Sequence, residues 1–192
     1  MRVWLLTSTT YGSWLPGDPR GSVTSVRDLR PAEEQTIVRI EHDIPGEPYE
    51  DAIPELQDSA RNRMKGPPLF LDREKAEVVL AQFQETAKFR SWTLRAAAIM
   101  YNHFHIVVEV PGDPQPGKVL GDFKAYGTRA LNRRYGRPLS ETWWSAEGSK
   151  RILKVDAAVA GAMNYVVKMQ PNPLVVWSVN EDATGAIQNS GD

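Results

Sequence analysis

Near the middle of the chain, polar and apolar positions alternate. In "HFHIVVEV", residues 103–110, Phe104, Ile106, Val108 and Val110 share one parity, and His103, His105, Val107 and Glu109 share the other. That is the period of a strand, with the apolar set turned to a core and the mixed set to the opposite face. "WTLRAAAIMY" just before it reads as a second strand, and with only Asn102 near the bend the two predict an antiparallel hairpin. "RVWLLTST" at residues 2–9 predicts a further strand. Helical spacing governs other stretches. Asp72 is placed to cap "REKAEVVLAQFQETAKFR", where Val78 or Val79, Phe83 and Ala87 recur on one side. A second helix is predicted over roughly 117–135, and a third from about 156 to 170, stopped by Pro171. On the third, Val155, Val159, Met163 and Val166 mark the packed face, with Ala162 alongside. "PLVVWSV" is a last short strand or packing segment.

Residues 10–68 interrupt this pattern with "WLPGDPRG", "DIPGEPYEDAIPE" and "KGPP", and predict an insertion with one short helix near 54–64. The polar end, 178–192, predicts a flexible tail, leaving a single domain over 1–177. Strand–helix–strand–strand–helix order points to an α+β sandwich of the ferredoxin-like or RRM-like type. Its antiparallel sheet would carry helices on one face and the histidine pair on the open face. Open faces of such sheets often meet nucleic acid.

Composition narrows the chemistry. The 192 residues include no cysteine, which excludes disulfides and thiolate metal sites and leaves His, carboxylate and amide donors. No apolar run approaches the ~20 residues of a membrane span. The first residues lack the small-residue cleavage site of a signal peptide. The expected location is therefore the cytoplasm. The net charge of −1 hides a polarity along the chain. From 31 to 60, nine acidic residues face Arg39 alone, whereas from 118 to 154 nine basic residues face three acidic ones. A basic block in a mildly acidic protein suggests a local anionic partner; solvated basic helix faces are the ordinary alternative.

Two of the three histidines sit one residue apart, so their imidazoles share a sheet face. Such a pair repels when protonated and offers two neutral nitrogen ligands to a divalent metal. The third predicted helix brings Tyr165 over Gly161 and Ala162, a phenol with space around it. Two surface histidines and a tyrosine packed into a core are the plain alternatives.

Taken in order, "HFH", the basic helix "LGDFKAYGTRALNRRYG", the linker "TWWSAEGSKR" and the helix "NYVVKMQ" resemble the single-tyrosine HUH transposases. These are the IS200/IS605-type enzymes and the REP-associated tyrosine transposases. The resemblance covers the first strand and about residues 69–177. It implies metal-dependent nicking and rejoining of single-stranded DNA through a 5′-phosphotyrosine intermediate, guided by a hairpin. It also implies Mg²⁺ or Mn²⁺ as cofactor and a cytoplasmic, nucleoid-associated enzyme, with monomer and homodimer both represented among relatives. Carried onto this chain, His103 and His105 match the metal pair and Tyr165 the nucleophile. The family's third ligand, a Gln four residues after the tyrosine, is replaced by Met169, a poor donor to a hard cation. Gln170 follows, and a widened last helical turn would bring it round as the third ligand; Asn164 and Glu109 are weaker candidates. Tyr101 and Tyr126 compete with Tyr165 as nucleophile.

In that frame Lys124, Arg129, Arg133, Arg134, Lys150 and Arg151 are expected to contact phosphates, with Tyr126 stacking on or hydrogen-bonding the DNA. Trp143 and Trp144 are candidates to stack an unpaired base, against core packing of at least one of them. The acidic stretch at 31–60 would be repelled by DNA and is expected to lie away from it. The alternative function is a noncatalytic or domesticated binder of single-stranded or hairpin DNA. An unrelated metal hydrolase is disfavoured because no Asp/Glu cluster lies near the histidines in sequence.

Overall fold

A computed structural model of the chain describes residues 1–20 and 52–179. The acidic stretch lies largely outside these residues, as does nearly all of the tail. The chain divides into two compact units, one of Trp14–Lys65 and one of Met1–Ser13 with the chain from Gly66 onward. In the smaller unit, Pro at the first turn starts helix α1 (Pro54–Asn62). There the Arg20 guanidinium donates to Asp18 and holds its carboxyl below the usual carboxylate range.

The larger unit is an α+β sandwich. Its elements are β1 (Arg2–Thr9), α2 (Arg73–Phe89), β2 (Thr93–Ile99), β3 (His103–Val110), α3 (Pro116–Tyr135), β4 (Ser149–Leu153), α4 (Asp156–Lys168) and β5 (Val175–Ser178). The strands form one antiparallel sheet in the order β4-β1-β3-β2-β5. The first four strands with α2 and α3 make the ferredoxin-like pattern, and β5 extends it beside β2.

Local chemistry explains the elements. The Asp72 side chain accepts the Lys75 backbone N–H at 2.9 Å, starting α2 where the sequence places its cap. The predicted hairpin forms, pairing Ile99 with Phe104 and Ala98 with His105. The parity of β3 holds as well. Phe104, Ile106, Val108 and Val110 join the core beneath α2 and α3, with Phe83, Phe123 and Trp144. Gly127 lets α3 approach this cluster, since a Cβ there would lie 3.3 Å from Phe83.

Three expectations change. The segment after the tryptophans contains the edge strand β4, whose Lys150 and Arg151 hide the alternation. Trp143 and Trp144 are both buried, so neither presents a stacking surface. Their indole N–H groups donate to Asn132 Oδ1 at 2.8 Å and to the Lys124 carbonyl at 3.1 Å. Most consequentially, α4 lies across the face that was to stay open. A second apolar cluster joins its Ala162 and Val166 to Ala96, Ala98 and Val107 of the sheet. Val155, read as part of the packed face, is the exposed N-cap residue.

Candidate active site at the histidine pair

Both histidines stand at the start of β3, on the α4 side of the sheet, their ring centroids 5.0 Å apart and nearly perpendicular. Each has a partner at Nδ1. Asn102 Oδ1 lies 2.6 Å from Nδ1 of His103, and that oxygen can only accept, so Nδ1 carries the proton and Nε2 is the basic nitrogen. Thr7, paired with His105 across β1 and β3, places its hydroxyl 2.6 Å from Nδ1 of His105. Partners at the far nitrogen are what orient a metal-binding imidazole. His105 is 7% exposed. Burial, with the neighbouring His103 charge, pushes its pKa down to about 3, so the ring is neutral through the physiological range.

Tyr165 comes to this pair from α4. Its ring centroid is 5.2 Å from that of His105, edge to face, and the side chain is 39% exposed. One turn back, Gly161 has nothing within 4 Å of where a Cβ would be, so the space above the phenol's floor is open. The helix ends sooner than its sequence suggests. Met169 N–H closes a regular last turn on the Tyr165 carbonyl at 3.2 Å, without the widening invoked for Gln170. Gln170 lies just beyond, its amide nitrogen donating to the same carbonyl at 3.0 Å. The amide oxygen, the atom a hard cation takes, is not part of that bond.

The donor chemistry fits a divalent cation: two imidazoles fixed from behind and an amide five residues after the phenol, just past the end of α4. Among the described residues no group of three His, Asp or Glu side chains could hold a metal.

Two other tyrosines make different contacts. Tyr126 is on α3, in the layer beyond the opposite face of the sheet, between Phe89, Arg90 and Arg129. Tyr101, in the hairpin bend, stacks on Phe70. The basic residues do not form one patch. Arg151 sits opposite Leu5 on the α4 side, whereas Lys150 sits opposite Leu6 on the other. Arg129 and Arg134 are exposed on α3, and Arg133 donates to Gln82 of α2 at 3.2 Å. Lys124 does something the sequence does not suggest. Its ammonium donates to the carbonyls of Ser145 and Ala146 at 2.6 and 2.9 Å, and burial lowers its pKa to about 8. It thereby holds the loop leading to Gly148, where a Cβ would meet the Thr7 carbonyl at 2.4 Å. Thr7 and Asn102, the partners of the histidines, also escape a reading of the sequence. Their only signals are strand parity and adjacency.

The fold is of the α+β class that the sequence resemblance implies. Residues 67–148 match the family model described as transposase, IS200-like, and over that stretch the chain is similar to this family. The matched stretch contains α2, the hairpin with both histidines and α3; it ends before β4 and the tyrosine helix. Among solved structures, the chain is similar to "Structure of the REP associates tyrosine transposase bound to a REP hairpin", with 10% identity and a TM-score of 0.42. The similarity covers 86% of this chain and 64% of that one, so the chain spans less than two thirds of that protein's length. No curated protein matches it.

Proposed function

We propose that the protein nicks and rejoins single-stranded DNA through a covalent Tyr165–DNA intermediate, in DNA transposition. The observation that carries this is the placement of the helix-borne phenol against His105, itself against His103, in a chain whose residues 67–148 match the IS200-like transposase model. The Tyr165 oxygen attacks the scissile phosphorus. The Oη–P bond forms, the P–O3′ bond breaks, and the phenol proton is balanced by the proton the 3′ oxygen takes up as it leaves. The reverse attack by a 3′-hydroxyl on the phosphotyrosine rejoins strands and returns the proton to Tyr165, so no external energy source is needed. His103 and His105, with Gln170 as third donor, would hold Mg²⁺ or Mn²⁺. When bound, the cation polarises the phosphate and offsets the charge that develops on it. Asn102 and Thr7 hold the imidazoles in orientation. On the open side of α4, the exposed phenol is reachable by a phosphodiester strand. Arg151, exposed on the α4 side of the sheet, is available to its phosphates, whereas Arg129 and Arg134 lie on α3 beyond the opposite face. A hairpin substrate, which the sequence resemblance implies, is the form in which we infer the DNA is presented.

A noncatalytic DNA binder is the second reading, favoured by Met169 at the position four residues after the tyrosine. Trapping the adduct decides between them. The protein is incubated with single-stranded hairpin oligonucleotides from the DNA flanking its gene and Mn²⁺, then resolved on denaturing gels with peptide mass spectrometry. The proposal expects a DNA-linked peptide containing Tyr165, absent in Tyr165→Phe and in chelator. Binding with no adduct from any oligonucleotide would overturn it in favour of the binder.

A further inference from the structure

Beside the histidine pair the surface carries two aromatic rings that the packing of the fold does not require. Residues 66–72 run alongside the hairpin bend. Leu69 N–H donates to the Tyr11 carbonyl at 2.9 Å and Leu71 N–H to the Tyr101 carbonyl at 2.6 Å. Leu69 and Leu71 turn into the core beneath α2 and α3, and Phe70 between them stays 51% exposed. Tyr101, in the bend, is 52% exposed. The two rings stack with centroids 5.6 Å apart and planes 24° from parallel.

Neither ring belongs to an apolar cluster of the fold, and about half of each stays in water. Isolated exposed aromatics are commonplace, but two held nearly parallel are a flat apolar surface of defined orientation. Its support is stiff. Met100 N–H closes the bend on the His103 carbonyl at 2.8 Å, and Thr10 N–H and hydroxyl both donate to the Asn102 carbonyl. A second aromatic pair, Phe89 with the half-buried Tyr126, differs on each count. Its planes are tilted by 56°, Arg90 and Arg129 stand over its rings, and it lies on the helix layer.

Position selects the ligand. Tyr101 precedes His103 by two residues, so their Cα atoms are within about 7 Å by chain reach. A strand whose phosphate sits at the imidazoles therefore has this surface within reach of its neighbouring nucleotides. We infer that Phe70 and Tyr101 form a stacking platform for an unpaired base adjoining the phosphate that Tyr165 attacks. This rests on the reading of the His103–His105–Tyr165 site given above. A parallel aromatic surface accepts any base by its π face, so the platform positions the strand without choosing its sequence. It also gives Tyr101 a role other than nucleophile.

The test uses the full chain carrying Tyr165→Phe and hairpin oligonucleotides from the DNA flanking its gene, with 2-aminopurine at successive single-stranded positions. Quenching is expected at one or two positions next to the cleaved bond. Phe70→Ala and Tyr101→Ala should each weaken binding roughly tenfold and remove that quenching, with thermal unfolding unchanged. Phe70→Tyr and Tyr101→Phe should retain both. Unaltered binding and quenching in the alanine variants would overturn the platform, as would failure of every oligonucleotide to bind. Adduct trapping with Tyr165 intact separates the two claims. Alanine variants that form adduct at the wild-type rate refute the platform and leave the chemistry standing. Ring-dependent binding with no adduct from any variant keeps the platform and removes the nicking reading.

Discussion

On the α2–α3 side of the sheet, Phe83, Phe104, Phe123 and Trp144 interlock, with centroids 4.9–5.2 Å apart between ring pairs set 69–89° from parallel. On the α4 side, Ala96, Ala98 and Ala162 meet Val107 and Val166, and the row ends in two histidines and a half-exposed tyrosine. The same strands serve both faces, since β3 sends alternate residues to each. The first face buries large rings and stabilises the sheet. The second sets the small side chains of Ala96 and Ala98 in the cluster with α4, while Tyr165 retains space. Stability and chemistry are thus assigned to opposite parities of one strand.

That division can be broken by substitution. Phe83→Ala should destabilise the fold by about 3–5 kcal/mol, read in urea unfolding, while leaving adduct formation per folded molecule intact. Tyr165→Phe should do the reverse, moving stability by no more than about 0.5 kcal/mol. If Phe83→Ala instead abolished the chemistry in the folded fraction, the two faces would be coupled. Thr7→Val removes the partner of His105 Nδ1 and should raise the Mn²⁺ concentration needed for cleavage about 10–100-fold. An unchanged metal titration would deny Thr7 its orienting role.

Acid should sharpen the contrast. His105 has a pKa of about 3 in the fold against an ordinary value of 6.5, so between these limits the unfolded chain binds more protons. Its contribution is fully present above pH 6.5 and is lost as pH falls toward 3, by up to about 1.4 kcal/mol per unit. Comparing stability against pH for the wild type and His105→Gln isolates that slope, which should be shallower in the variant. A modest gain is expected at Gly161. With open space where its Cβ would lie, Gly161→Ala should raise stability by about 1 kcal/mol through helix propensity, seen as a higher Tm.

Much of this was legible in the sequence where periodicity speaks. The parity of β3, the hairpin, the cap at Asp72 and the order of elements follow from local spacing. What local spacing could not carry was the meeting of distant residues. Lys124 reads as a phosphate contact because it lies in a basic run, yet its ammonium is taken by the carbonyls of Ser145 and Ala146. Trp143 and Trp144 read as ligands for a base because they stand in a polar linker, yet Asn132 and the Lys124 carbonyl satisfy their N–H groups in the interior. β4 was hidden because an edge strand tolerates Lys150 and Arg151, which blur its alternation. The placement of α4 over the histidine face depends on Ala96 and Ala98 being small, and nothing in the helix itself announces which face it will choose. Gln170 was sought on a widened turn; the turn is regular and its amide folds back on the Tyr165 carbonyl.

The register of β1 carries a consequence for synthesis. Arg2 pairs with Val110 and Val3 with Leu153, so a strand made at the outset finds its neighbours only after some hundred to a hundred and fifty further residues are translated. At roughly 5–20 residues per second that is an interval of about 5–30 s. Trp4 and Leu6, buried in the finished sheet, spend it with no partner strand. A ribosome stalled before residue 103 therefore holds a sticky nascent chain; once β3 has emerged, the first half of that hazard is gone, and β4 removes the rest.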